Sequence, residues 1–192
     1  HERPAHDDLA RLALRDVLVV GVDEPQLRAA DGPAYGAGLA LVLAGVEGAH
    51  ARREMLSHLT TNFTRFFREN HHFEHLRDEV LPGLMQRARN GGRVRIWSAA
   101  CSDGQEPYSI ALTVLGLLPN AADYDFRILA TDIDPKILAA ARAGAYDEGA
   151  LETVSPAMRK QWFREVDVGG RRKFQVDDRV KKLITFNELN LM

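Results

Sequence analysis

The chain has 192 residues, of which 45% are hydrophobic and 27% are charged, and its formal net charge is -2. This composition is typical of a globular protein in water, and the lack of a strong basic excess argues against nucleic acid as a partner. The single cysteine, Cys101, excludes an internal disulfide and a zinc site built from several cysteines. No apolar run approaches the ~20 residues that span a bilayer, and the first residues are not a secretory signal, so we expect a cytoplasmic location.

The first third of the chain is expected to form short helices. Residues 9–14 carry leucines behind an acidic cap, and residues 47–60 have the apolar spacing of a helix. Residues 17–22 are rich in β-branched valine, so this stretch could be a strand as readily as a helix. A clearer amphipathic helix is predicted over 71–89, where Pro82 and the glycine after it should kink or interrupt the helix.

Strand and helix patterns alternate after residue 92, where the hydrophobic period changes. The predicted elements are strands at 93–99, 126–131 and 183–187, a helix at 107–118 that begins with Pro107, and a helix after the start signal Asp134–Pro135. This alternation is the pattern of a doubly wound α/β sheet, in which helices connect parallel strands.

Residues 144–182 separate the second of these helices from the third strand, and they are predicted to form an inserted subdomain. Ser155 is expected to cap a short helix that ends near residue 163. The charged residues 169–182 are expected to form a hairpin or a loop.

Two positions at the ends of the predicted strands could bind a ligand. The turn from Ser98 to Pro107 is rich in small residues, but its one glycine, Gly104, matches neither the dinucleotide fingerprint nor a phosphate-binding loop. From the residues alone, this turn could equally be structural. Asp132 ends the second strand, where a carboxylate can accept hydrogen bonds from two ribose hydroxyls. Asp134 is explained as a helix cap and Asp132 has no such explanation, which favours an adenosine-containing ligand.

Four motifs then resemble, in the right order, the signature of the CheR chemotaxis methyltransferases. They are LTTNFTRFFRE at 59–69 with HHF at 71–73, WSAACSDGQEPYS at 97–109, ATDID at 130–134, and Asn190–Leu191. These enzymes transfer a methyl group from S-adenosylmethionine to glutamate side chains of chemoreceptors. The resemblance implies a Rossmann-like methyltransferase domain over 62–192, with the insertion around 144–182, and a helical N-terminal domain over 1–61.

The resemblance also implies which residues bind the cofactor S-adenosylmethionine. They are Asn62, Thr64, Arg68, Ala100, Glu106, Asp132, Asn190 and Leu191. Arg68 would pair with the methionine carboxylate, since a guanidinium suits an anion, and Glu106 would face the methionine amino group. Asp132 would hold the ribose, and Asn190 and Leu191 would border the adenine.

Several of these residues have structural alternatives. Arg68 could be a solvated surface arginine, Glu106 could favour a helix N-terminus, and Asn190 could be a turn residue after a strand. His71 and His75 are four residues apart on a predicted helix and could share a metal ion. A solvated helix end without a metal is the favoured interpretation, because the zinc-peptidase pattern H-E-x-x-H is absent and the family motif itself carries the HHF at 71–73.

The chain departs from the family at both ends. Residues 20–28 contain acidic residues and a proline where the family has a basic helix thought to face the receptor, so we expect a degenerate helical domain. The chain also ends before the family's further strands, which predicts a C-terminally truncated sheet. In such a sheet the strand over 93–99 would lack one neighbour and Ile96 would be exposed, which predicts poor solubility or self-association without methyl transfer.

The function implied by the resemblance is methylation of chemoreceptor glutamates during adaptation, with the cytoplasmic domain of a chemoreceptor as partner. A glutamate with a pKa of ~4.3 is already ionised at pH 7, so the reaction needs no general base, and we assign no catalytic residue. One alternative is a non-catalytic remnant that binds S-adenosylmethionine or only a receptor. A nicotinamide-dependent enzyme is disfavoured by the missing glycines.

Overall fold

In the computed structural model, the described residues are 64–190 together with the backbone of a strand at Val17–Gly21. The helices predicted at 9–14 and 47–60 lie outside the described residues. Within the described part of the chain, no helix is both long and apolar enough to cross a bilayer.

The described elements alternate between strands and helices. The strands are β1 Val17–Gly21, β2 Val94–Ala99, β3 Phe126–Asp132, β4 Ala145–Tyr146, β5 Phe163–Val168, β6 Arg171–Val176 and β7 Ile184–Glu188. The helices are α1 Asn70–His75, α2 Leu81–Arg89, α3 Gln105–Leu117, α4 Pro135–Ala143, α5 Pro156–Trp162 and α6 Asp178–Lys181, with short 3-10 turns at Ala121–Asp123 and Glu148–Leu151.

A parallel sheet organises the fold, with the strand order β1-β2-β3-β7. Helix α3 joins β2 to the parallel strand β3, and α4 leaves the end of β3, so strands and helices alternate as the sequence predicted. Residues of β2, β3 and β7 that point into the core, such as Ile96, Ile128 and Phe186, are almost fully buried. The predicted α/β class is therefore confirmed.

Strand β1 corrects one expectation about this sheet. Its register with β2 runs from Val17 opposite Arg95 to Gly21 opposite Ala99. The prediction that the strand over 93–99 lacks a neighbour is wrong, because β2 is paired on both sides. Ile96 has no exposed surface, which contradicts its predicted exposure. The remaining residues of 1–61 lie outside the described part, so a helical domain there stays a prediction.

The predicted helix over 71–89 is interrupted, as Pro82 led us to expect. The interruption is a π-helical turn at Leu76–Val80, in which Leu81 N–H donates to the carbonyl of Leu76. Pro82 has no N–H, and its ring would clash with the carbonyl four residues earlier, so the α-helical pattern cannot continue through this point. The wider turn therefore comes just before the proline.

Helix α3 begins at Gln105, two residues earlier than predicted. Gly104 precedes it with φ 93, a left-handed conformation that favours glycine, and an added Cβ there would lie 3.0 Å from Ala141 Cβ. Pro107 is therefore the third residue of the helix and not the first. It is tolerated there because the N–H groups of a first turn have no partner within the helix.

The insertion folds as an antiparallel sheet with the strand order β4-β6-β5. Strands β5 and β6 form a hairpin that turns at Gly169 and Gly170, with φ 62 and φ 77. The hairpin or loop predicted over 169–182 is a hairpin, but its first strand begins earlier, at Phe163, and α6 occupies the end of the predicted range. Ser155 caps α5 as predicted, since its Oγ accepts from Met158 N at 3.3 Å.

Candidate functional site

Three of the predicted site residues lie at the carboxyl edge of the parallel sheet. Ala100 follows β2, Asp132 ends β3, and Asn190 comes two residues after β7. Backbone hydrogen bonds join the three strand ends: Cys101 N donates to Thr131 O at 2.8 Å, and Leu189 N donates to Asp132 O at 3.0 Å. In open α/β sheets, ligands bind outside the carboxyl ends of the strands, so this edge is the candidate site.

The turn after β2 has an unusual backbone for residues that are not glycine. Ala100 and Ser102 have φ 54 and φ 51, in the left-handed region where a side chain is strained. Ala100 is exposed, so its backbone is open to a ligand. Cys101 is buried, and burial raises the pKa of its thiol to about 12. The thiol is therefore neutral at pH 7, which fits a packing residue and not a nucleophile.

Asp132 holds this turn in place. It is 6% exposed; its Oδ2 accepts from Ser102 N at 2.8 Å and its Oδ1 from Asp134 N at 3.0 Å. The sequence suggested no structural role for Asp132, and these two contacts provide one. Each carboxylate oxygen can accept a further hydrogen bond, so two ribose hydroxyls remain compatible with this geometry. Asp134 caps α4 as predicted, with its Oδ1 accepting from Lys136 N at 2.8 Å.

Glu106 and Arg68 form the other half of the candidate site. Glu106 is half-buried in the first turn of α3, and Ser98 Oγ donates to its Oε1 at 2.5 Å. Burial raises the pKa of Glu106 to about 7, while the hydrogen bond from Ser98 and the positive charge of Arg68 act in the opposite direction. The backbone just before Arg68 hydrogen-bonds to side chains of α3, the helix that carries Glu106. The structure therefore places these two predicted residues on adjoining segments.

The segment that carries Arg68 is held by a buried aromatic ring. Phe66 has no exposed surface, and its ring packs edge-on against Tyr146 at 5.1 Å and Phe163 at 5.7 Å between centroids. Two polar side chains of α3, Gln105 and Ser109, accept hydrogen bonds from the backbone of this segment. The sequence analysis did not single them out, although their four-residue spacing places them on one face of a helix.

Asn62 and Leu191 lie outside the described residues. Thr64 is half-buried at the start of the described segment, and Asn190 is exposed.

The histidines predicted to end a helix without binding metal lie at the start of the helical region. His71 and His75 are exposed, and His71 Nδ1 lies 3.9 Å from a carboxylate oxygen of Glu69. Over residues 64–190, no three His, Cys, Asp or Glu side chains are grouped closely enough to hold a metal ion.

The chemistry of this edge fits a nucleoside that carries an amino acid. A carboxylate at Asp132 suits a ribose diol, a carboxylate at Glu106 suits an ammonium group, and a guanidinium at Arg68 suits a carboxylate. The fold and these groups define a Rossmann-like domain of the kind that binds such a ligand.

The sequence of residues 62–192 matches the family described as the CheR methyltransferase, SAM binding domain. The chain belongs to this family, and S-adenosylmethionine is the cofactor of the domain.

Curated relatives support the same assignment. The chain is 85% identical over 151 residues to a probable chemotaxis protein methyltransferase of Rhizobium etli, covering 79% of this chain and 56% of that protein. It is 37% identical over 142 residues to the chemotaxis protein methyltransferase of Borreliella burgdorferi, covering 72% and 49% of the two chains. The corresponding protein of Vibrio parahaemolyticus is 42% identical over 142 residues, covering 70% and 48%. The chain spans about half the length of the curated relatives it matches.

Proposed function

We propose that this chain binds S-adenosylmethionine at the carboxyl edge of its parallel sheet and serves in methylation of chemoreceptor glutamates. The observation that carries the proposal is the carboxyl edge of the parallel sheet, where Ala100 follows β2 and Asp132 ends β3, within a domain of this family. The names of the relatives support chemotaxis as the process. The proposed partner is the cytoplasmic domain of a chemoreceptor, and the proposed location is therefore the cytoplasm.

We propose a separate role for each group. Arg68 would hold the methionine carboxylate with two parallel hydrogen bonds, and Glu106 in its ionised form would accept from the ammonium group. Asp132 would accept from the ribose hydroxyls through the lone pairs that Ser102 N and Asp134 N leave available. Ala100 would present its backbone to the cofactor. Asn62, Thr64, Asn190 and Leu191 would complete the cofactor contacts.

The bound cofactor supplies a methyl group on a positively charged sulfur, which a carboxylate oxygen can attack directly. A receptor glutamate is ionised at pH 7, so this chain needs to place and desolvate the two reactants and not to remove a proton. Glu106, whose pKa is raised by burial to about 7, is assigned to cofactor binding because the segment that carries Arg68 is hydrogen-bonded to its helix.

We propose a domain boundary near residue 62, with a methyltransferase domain over 62–192 and a helical N-terminal domain over 1–61, apart from the strand at 17–21. The match of the family to residues 62–192 supports the bounds of the methyltransferase domain. Strand β1 pairs with β2, so residues 17–21 belong to the sheet whatever the rest of 1–61 forms.

The test has two parts. Titration calorimetry with S-adenosylhomocysteine and with NAD measures which cofactor class binds, and we expect binding of S-adenosylhomocysteine alone. Transfer of radiolabelled methyl from S-adenosylmethionine to a chemoreceptor fragment then measures activity. Binding without transfer would leave the alternative proposal, a non-catalytic S-adenosylmethionine-binding module. Binding of neither nucleotide would refute the proposed function.

A further inference from the structure

Arg68 sits in a backbone segment that local preference does not explain. The residues on both sides of it, Phe67 and Glu69, each have φ 52. This left-handed conformation is unfavourable for a residue with a side chain, and it persists only where surrounding contacts hold it. The direction in which Arg68 leaves the backbone therefore depends on groups outside the segment.

Two side chains of α3 supply such contacts. Gln105 Oε1 accepts from Phe66 N at 3.0 Å, and Ser109 Oγ accepts from Phe67 N at 3.0 Å. Gln105 is 6% exposed and Ser109 has no exposed surface, so water has little access to these two acceptor residues. The two residues before Arg68 are thus fixed to one face of a single helix.

The orientation of both acceptors is itself determined by hydrogen bonds. Gln105 Nε2 donates to Asp103 Oδ2 at 2.9 Å, which leaves the amide oxygen directed at Phe66 N. Ser109 Oγ donates to Gln105 O at 2.7 Å, so its hydroxyl hydrogen is used and a lone pair is left for Phe67 N. Asp103 is held in turn, because Tyr146 OH donates to its carbonyl at 2.7 Å.

The same helix carries Glu106. This residue follows Gln105 directly in the first turn of α3, and the positive charge of Arg68 opposes the effect of burial on the pKa of its carboxyl group. One rigid turn of α3 therefore carries the carboxylate proposed for the ammonium group and also fixes the backbone of the proposed guanidinium.

We propose that Gln105 and Ser109 are positioning residues that fix the backbone of Arg68 relative to Glu106, so that both can receive the amino-acid end of the cofactor. This inference rests on the proposed function. Phe66 stays anchored without them, because its ring is buried and its carbonyl accepts from Thr153 Oγ1 at 2.6 Å. Loss of either polar contact should therefore misplace Arg68 without unfolding the segment.

The experiment compares two ligands that differ only at the amino-acid end. S-adenosylhomocysteine carries the amino acid, and 5′-methylthioadenosine has the same nucleoside without it. We expect Gln105→Ala and Ser109→Ala each to lower the affinity for S-adenosylhomocysteine by about tenfold. The affinity for 5′-methylthioadenosine should fall by less than about twofold, and titration calorimetry measures both. Ser109→Thr keeps a hydroxyl and should restore most of the lost affinity.

Thr113→Ala is the matched control. Thr113 lies one turn further along α3 and is 8% exposed, and its Oγ1 donates to Ser109 O at 2.8 Å. We expect this variant to affect both ligands equally. Thermal melting of every variant reports its folding.

Equal losses for the two ligands in Gln105→Ala and Ser109→Ala, or no loss in either, would overturn the inference and leave the proposed function standing. If the unaltered chain binds no S-adenosylhomocysteine, the proposed function fails, and the inference fails with it.

Discussion

At the carboxyl edge of the parallel sheet, Asp132 and Asp134 are each 6% exposed, whereas on the β5–β6 hairpin Arg172 and Glu165 each expose 57% of their side chains. The buried carboxylates accept from backbone N–H groups at 2.8–3.0 Å. The hairpin pair has a similar separation, 3.0 Å between Arg172 Nε and Glu165 Oε2, but water surrounds it.

The comparison shows that the distance between a charged group and its partner does not by itself determine how much the contact contributes to the free energy of unfolding. Removing a buried carboxylate leaves N–H groups without a partner and without water, which costs far more than the net value of the bond. An exposed ion pair exchanges its partner for water at little cost. Substitutions should therefore have large effects at the carboxyl edge and small ones on the hairpin.

Asp132→Ala should give the largest effect. It leaves Ser102 N and Asp134 N unpaired, so we expect the free energy of unfolding to fall by about 2–4 kcal/mol. Urea denaturation measures this loss. S-adenosylhomocysteine affinity, measured on the folded fraction by calorimetry, should fall as well because the ribose loses its acceptor. Unchanged affinity in a folded variant would remove Asp132 from the proposed site.

Arg68→Lys should act on the ligand more than on the fold. Lysine keeps the positive charge but loses the planar pair of donors, so S-adenosylhomocysteine affinity should fall by about tenfold. Adenosine, which has no carboxylate, should bind almost as before. Equal losses for both ligands in calorimetry would mean that Arg68 acts through folding and not through the methionine carboxylate.

Glu106 should make both stability and affinity depend on pH, in opposite directions. Its pKa is about 7 in the folded chain against an ordinary value of 4.5, so the folded state binds more protons than the unfolded chain between these values. The free energy of unfolding should therefore fall by roughly 1 kcal/mol as the pH rises through this range, after allowance for partial exposure.

Affinity for S-adenosylhomocysteine should instead rise as the pH passes 7, because the ionised carboxylate accepts from the ammonium group. Glu106→Gln should flatten both profiles, and Glu165→Gln on the exposed hairpin should flatten neither. Urea denaturation and calorimetry between pH 5 and pH 8 test this. If the affinity of Glu106→Gln for S-adenosylhomocysteine changed with pH as in the unaltered chain, another group would be responsible for the pH dependence.

Arg172→Ala should give the smallest effect. Arg172 contacts Glu165 and lies 5.1 Å from the centre of the Phe174 ring, but it remains largely exposed. We expect the free energy of unfolding to change by less than about 0.5 kcal/mol, and ligand affinity not at all. If the free energy of unfolding fell as much as in Asp132→Ala, exposure to water would not explain the difference between the sheet edge and the hairpin.

The strands and helices after residue 92 were predictable because their hydrophobic period is strong. The start of α3 was misplaced because Pro107 is a good first residue, while the actual start depends on the left-handed Gly104. Residues 17–22 could not be assigned, because a run of valines fits a strand or a helix until a neighbouring strand pairs with it. That neighbour, β2, is far away in the sequence.

The site was predictable where a residue type alone indicates a ligand, as for Asp132 at the end of a strand. Its contact with Ser102 N was not, because it exists only when the turn after β2 adopts a left-handed backbone. Gln105 and Ser109 were missed for a similar reason. Their acceptors meet a segment about forty residues earlier in the chain, and such pairing appears only in the folded sheet.

The segment between α4 and β7 interrupts the alternation of strands and helices in the parallel sheet, but its side chains pack into the rest of the domain. Its Tyr146 and Phe163 rings enclose Phe66, and the Tyr146 hydroxyl supports the turn after β2. Excising residues 145–176 would open a cavity beside the segment that carries Arg68 and leave the carbonyl of Asp103 without its donor. A shortened version of this domain would therefore need a replacement for those two rings before it could keep the same ligand geometry.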